Sequence, residues 1–161
     1  MNDLLTIRLA TIDDTPLILY FIKSLAAYEK MEHRLKVTEE RLKDSLFNKK
    51  HAEVLLAFEH EKPVGFAVFF HTFSTFYGDA NLYLEDLFIE ESFRGKGYGK
   101  SLLKALSKIA LQRQCEHLKW SCLDWNTPSI DFYKSLGAKQ VNEWLYFSLD
   151  HDGLISLINK K

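Results

Sequence analysis

Apolar and polar positions follow two different periods along this chain. Residues 4–9 alternate and predict a short first strand. Thr11, with Asp14 three residues later, makes a capping-box-like start. Leu17, Ile18, Phe21, Ile22 and Leu25 then recur at helical spacing, so a helix is predicted to run to Lys30. Thr38, followed by Glu39 and Glu40, caps a second helix that ends near Asn48. The period then drops to two. Residues 52–59 and 64–72 read as strands joined by a short polar connection at 60–63, a hairpin pattern. Residues 73–79 read as a loop and 82–89 as a third long strand. A Gly-rich basic stretch at 93–100 leads into an amphipathic helix over 101–113, with Leu102, Leu103, Leu106, Ile109 and Ala110 on one side. A strand over 117–123 follows, then a helix over 128–136 that Gly137 terminates. The remainder predicts a last strand over 144–149 and a terminal helical turn over 153–159.

The predicted order, β-α-α-β-β-β-α-β-α-β, places antiparallel hairpins first and helical crossovers afterwards. That combination predicts a mixed sheet covered by helices on its faces. The 161 residues fit a single domain, 1–161. An apolar fraction of 47% can offset chain entropy, which excludes disorder of the whole chain. The net charge of −1 provides no basic field, so nucleic acid is not the expected partner. No run approaches the roughly 18 apolar residues of a membrane helix, and no signal-like start precedes residue 9. A cytoplasmic location is expected. Cys115 and Cys122 cannot frame a disulfide scaffold. The six histidines show no metal-ligand pair at helical spacing, so no metal is expected.

The most informative stretch is Arg94, Gly95, Lys96, Gly97, Tyr98, Gly99 and Lys100, after a strand and opening a helix. Alternate glycines let the backbone turn tightly and approach a ligand, and amides at a helix N-terminus favour an anion. A pyrophosphate suits such a loop; a plain Gly-rich turn with solvated lysines is the alternative. Neither a Walker A loop nor a dinucleotide fingerprint fits, because Arg94 and Lys100 stand where those patterns need glycine. Arg94, Gly97 and Gly99 form Arg-x-x-Gly-x-Gly, which resembles the pyrophosphate loop of the GNAT N-acetyltransferase superfamily. Residues 82–89 resemble that family's fourth strand, and Asn126, Pro128, Ser129 and Tyr133 with Gly137 resemble its late helix. Tyr28 with Glu29, and the run at 64–67, match the branch of spermidine/spermine (diamine) and thialysine acetyltransferases.

The resemblance implies a three-layer α/β/α domain whose mixed, largely antiparallel sheet splays after the fourth strand. It implies acetyl-CoA as cosubstrate, held by residues 94–100, by backbone of Leu87, Phe88 and Ile89, and by Asn126, Ser129 and Tyr133. It implies a small primary amine as acceptor, facing Tyr28, Glu29, Ser74, Thr75, Glu85, Asp86 and Glu143. It also implies a homodimer. Tyr133 is implied as proton donor to the leaving thiolate, and a phenol of pKa about 10 suits that task. Glu85 is implied as the base, acting directly or through water.

Bland alternatives stand beside each role. Tyr133 packs in an amphipathic helix, Asn126 only caps one, and Glu85 or Asp86 holds Arg94 or Lys100. Pleating sends Glu85 and Asp86 to opposite faces, and the resemblance implies a bulge in their strand. Ser74 and Phe76 stand where the polyamine enzymes carry aspartate and tryptophan, which favours a lysine-like amino acid. Two other functions compete with a small-amine enzyme: a non-catalytic acyl-CoA-binding module, and a peptide or protein N-acetyltransferase.

Overall fold

A computed structural model of the protein describes residues 4–160. The chain divides into two compact units, Met1–Ser121 and Cys122–Lys161. In the first unit, five strands form one open sheet in the order β1-β2-β3-β4-β5. They are β1 (Leu5–Leu9), β2 (Glu53–Glu59), β3 (Lys62–Ser74), β4 (Asp79–Ile89) and β5 (Leu118–Trp120). The first three pairings are antiparallel and the last is parallel. The expected mixed sheet is therefore present.

Helix α1 (Thr15–Tyr28) and the short α2 (Glu39–Lys43) cover one face. Ile18, Phe21 and Leu25 meet Leu42, Val54, Leu56, Phe66 and Phe88 in one apolar cluster. Ile18, Phe21, Leu56 and Phe66 are wholly buried, and each such side chain is worth roughly 1.5–3 kcal/mol over exposure. The expected capping box of Thr11 and Asp14 forms, on a single turn of 3-10 helix at Ile12–Asp14 that leads into α1. The Thr11 amide donates to Asp14 Oδ2 at 2.7 Å, and Arg8 grips both Asp14 oxygens at 2.7 and 2.8 Å. These bonds, led by the Arg8 guanidinium, pull the Asp14 carboxyl down to about 2.

Helix α3 (Tyr98–Gln112) lies on the opposite face. Its C-terminal end is tied there by Arg113, which donates twice to Glu53 at 2.5 and 2.9 Å and rests 5.8 Å from the Phe69 ring centre. Glu53 and Phe69 pair in register, one residue off the Val54 and Leu56 that face α1. Leu102, Leu103, Leu106 and Ala110 are buried along α3, the side that periodicity picked out. Gly65 on β3 leaves no room for a side chain against β4. A Cβ there would collide with the Phe88 carbonyl oxygen and the Ile89 side chain.

The second unit holds α4 (Thr127–Ser135) and α5 (His151–Ile158). Residues 144–149 carry no strand, contrary to expectation. A strand needs a neighbour's ladder, and these residues have none here: Tyr146 and Phe147 are 90% and 91% exposed. Other boundaries shift by a few residues. β3 and β4 run on to pair Ser74 with Asp79, so the expected loop over 73–79 shrinks to a turn at 75–78. α3 begins three residues early, at Tyr98. Among the described residues no helix is long and apolar enough to cross a membrane.

Candidate active site

The site on the first unit grows from one irregularity in β4. Val68 pairs with Asp86 and Phe69 with Leu84, so Glu85 is an extra residue without a partner on β3. It is a β-bulge, which bends the strand and re-aims its neighbours. A regular strand would point the amides of residues 82 and 90 to the same side. Here the Leu82 amide donates to His117 beside β5, whereas the Glu90 amide donates to Val64 on β3. By alternation from Glu90, the amides of Leu87 and Ile89 face away from β3. β5 ends at Trp120, opposite Leu84, so β4 beyond that point has no strand on that side among the described residues. An open edge with outward amides can pair with an extended, amide-bearing ligand arm.

The bulge also sets the carboxylates. Asp86 shares the face of Phe66 and Phe88, toward α1, because Asp86 pairs with Val68 two places from the Phe66–Phe88 pair. Glu85 is exposed and Asp86 half-buried. Burial first, then the charges of Glu85 and Glu29, push the Asp86 carboxyl up to about 7. Burial also raises Glu29, which caps the C-terminus of α1, where the helix dipole is negative. Glu85 and Glu29 thus both act on Asp86 close to a helix C-terminus, an arrangement that suits a cationic ligand. Burial, reinforced by their repulsion, keeps Asp86 ready to hold a proton near neutrality.

The loop at 94–100 sits between these elements and α3. Gly95 and Gly97 take φ of +78° and +84°, the left-handed region, where any side chain would be strained. A Cβ at either would meet open space, so the surface of the loop is free for close approach. Gly97 caps α3, and the first intrahelical bond there runs from Ser101 to Gly97. The amides of Tyr98, Gly99 and Lys100 therefore lack intrahelical acceptors and lie at the positive end of the dipole. Such a cradle fits a pyrophosphate. Arg94 is anchored: its Nε donates to the Ile89 carbonyl at 2.9 Å, and its guanidinium lies 4.7 Å from the Tyr28 ring centre and 5.5 Å from that of Phe88. Lys96 donates to Glu59 at 2.9 Å.

Other predicted residues lie elsewhere. Ser74 and Thr75 stand at the tip of the β3–β4 hairpin. Six residues separate Ser74 from Val68, the partner of Asp86, or about 20 Å of strand at roughly 3.4 Å per residue. Tyr133, Asn126, Ser129 and Glu143 belong to the second unit. There Asn126 caps α4 by accepting from the Ser129 amide at 3.4 Å, Tyr133 is half-buried with its ring 5.4 Å from that of Phe132, and Glu143 is exposed. Sequence reasoning missed Glu59, because nothing in a β-strand's last residue announces a partner some 37 positions on.

Comparison with known proteins agrees with this geometry. The profile of the "Acetyltransferase (GNAT) family" matches residues 19–138. Thialysine N-epsilon-acetyltransferase of Bos taurus is 34% identical over 166 residues, covering 96% of this chain and 97% of that protein. Spermidine/spermine N(1)-acetyltransferase-like protein 1 of Homo sapiens is 33% identical over 96% of this chain but 24% of its own length. Among solved structures, an integron cassette protein from the mobile metagenome of V. cholerae superposes with a TM-score of 0.81 at 29% identity, over 98% of this chain and 99% of that one. The glycine loop at the head of α3, the bulged fourth strand and the profile match converge: this chain belongs to the GNAT acetyltransferase family.

Proposed function

We propose that the protein acetylates a lysine-like amino acid, thialysine above all, at its side-chain amine, as a single acetyltransferase domain working in the cytoplasm. The observation that carries this reading is the acidic cluster of Glu29, Glu85 and Asp86 beside an anion-binding loop. Acetyl-CoA, the cosubstrate of this family, supplies an activated acetyl thioester when bound. The loop at 94–100 holds its pyrophosphate, and the outward amides of Leu87 and Ile89 hold its arm, with Asn126 and Ser129 assisting. The Leu87 amide donates toward the acetyl oxygen.

An alkylammonium of pKa about 10 must lose a proton before it can attack. Glu29 and Glu85 attract the ammonium. Asp86, whose carboxyl burial raises to about 7, receives the proton. Glu85 serves as the bridge, directly or through water. Tyr133 donates its phenolic proton to the departing thiolate.

Ser74 and Thr75 cannot reach Asp86 of their own chain, given the length of hairpin between them. In this proposal the protein is a homodimer, and these hydroxyls meet the carboxylate end of an amino acid bound to the second copy. The exposed apolar run Trp144, Leu145, Tyr146 and Phe147 supports a contact between copies. Sedimentation at micromolar concentration is expected to give a dimer; a clean monomer removes it.

Two considerations favour the amino acid over a polyamine. The thialysine enzyme matches over 97% of its own length. Hydroxyls at 74 and 75 suit a carboxylate, whereas a polyamine needs further acids along its length. In competition, kcat/KM for thialysine is expected to equal or exceed that for spermidine, with short diamines between or below, and peptides unmodified. A spermidine constant far above that for thialysine would return the protein to the polyamine enzymes.

A further inference from the structure

We propose that Glu59 is a positioning residue for the cosubstrate loop. One of its carboxylate oxygens, Oε1, accepts from both the Lys96 ammonium, at 2.9 Å, and the Tyr98 hydroxyl. These two donors bracket Gly97. Lys96 lies between the two left-handed glycines, and Tyr98 is the first residue of α3. Tyr98 is 2% exposed and the Glu59 side chain 16% exposed, so their end of the junction lies inside the protein, and the more exposed Lys96 reaches it from the surface. Phe93 closes it on the other side of the loop, with the Lys96 and Lys62 ammoniums 4.9 and 5.0 Å from its ring centre.

The physical need is plain. A loop with two glycines in the left-handed region has a large unfolded-like ensemble, and it must be narrowed before its amides can converge on an anion. Glu59 ends β2, within the sheet's hydrogen-bonded frame, and pairs with Lys62 across the turn at 60–61. Both turn residues, His60 and Glu61, hold positive φ of 49° and 67°, an arrangement normally left to Asn and Gly. The tight hairpin thus keeps Glu59 at a fixed height beside the loop at some backbone cost. The carboxylate also restrains Lys96, so the charge nearest the glycines is placed rather than free to wander. Its two donors pull the Glu59 carboxyl below its ordinary range.

This inference rests on the loop being the cosubstrate's pyrophosphate site, and the two ideas fail separately. Amide hydrogen exchange of the wild-type protein with and without CoA tests the site: protection over 94–100 is required. Glu59→Ala, Glu59→Gln and Tyr98→Phe then test the positioning. Glu59→Ala is expected to weaken CoA in calorimetry, and to raise KM for acetyl-CoA, by about ten-fold, the scale of a charge-assisted bond. Its kcat with saturating cosubstrate should stay within about two-fold of wild type. Loop amides of the unliganded variant should exchange faster, with those of β2 and β3 unaltered. Glu59→Gln keeps an acceptor for Tyr98 and should recover part of the affinity; Tyr98→Phe should lose a comparable part. Unchanged or tighter CoA binding in folded Glu59→Ala and Glu59→Gln, with wild-type loop protection intact, would overturn the positioning role. Tighter binding would show instead that Glu59 merely competes with the cosubstrate for Lys96.

Discussion

Asp86→Asn is expected to lower turnover roughly 100-fold or more, the range for loss of a positioned proton acceptor. The change keeps the shape of the side chain and its place on the α1 face of β4. It removes the only group of the acidic cluster pushed up to about 7. In the wild type, kcat/KM should rise as pH passes upward through about 7, because the base must first lose its own proton. That limb should vanish from the residual activity of the variant. Stability moves the other way. The folded carboxyl, at about 7, holds its proton more tightly than one at the ordinary 3.8, so its contribution is fully present below that ordinary value and is lost as pH rises through about 7. Asn carries no such loss. The variant should therefore gain on the wild type between about pH 4 and 8, by an amount on the order of a few kcal/mol, readable in denaturant midpoints. Unaltered turnover with the same limb near neutrality would shift the proton-accepting role to Glu85, whose replacement by Gln should otherwise act mainly on KM for the amine.

Tyr133→Phe should cost a similar factor, roughly 100-fold in turnover, with little change in CoA affinity. It deletes one hydroxyl and leaves the ring that packs 5.4 Å from Phe132. A packing tyrosine would lose a little stability and no rate, so measuring kcat alongside the melting temperature separates the two roles. Substrates whose leaving thiol is more acidic should be less affected by the substitution, because they need less help from a proton donor. Equal loss with every thioester would argue against proton donation.

Much of this was legible before any coordinates. The glycine loop is legible because alternate glycines ahead of an amphipathic helix suit a tight turn and a close anion, and two of them, Gly95 and Gly97, do take left-handed conformations. The amphipathic stripes of α1 and α3 fix both covered faces of the sheet, since each stripe has one apolar side. The bulge at Glu85 was expected only by resemblance. Pleating alone puts Glu85 and Asp86 on opposite faces, and no residue type marks the insertion; the pairings of Val68 with Asp86 and of Phe69 with Leu84, on a distant strand, define it. The Glu59 junction was invisible for the same reason, being a contact set by the sheet rather than by local sequence. Residues 144–149 show the opposite error. Their aromatic and apolar content reads as a strand, but a strand is a relation between two segments, and this one has no pairing partner among the described residues.

The central claim is transfer of acetyl to a small amine, and one measurement addresses it directly. The protein is mixed with acetyl-CoA and thialysine; free CoA thiol is followed by colour reaction and the amine by mass spectrometry. The account predicts thiol and N-acetylated amine in equal amounts, with neither formed when the amine is left out. Binding of acetyl-CoA without amine-dependent thiol release, across thialysine, spermidine and the short diamines, would contradict it and leave an acyl-CoA-binding module in its place.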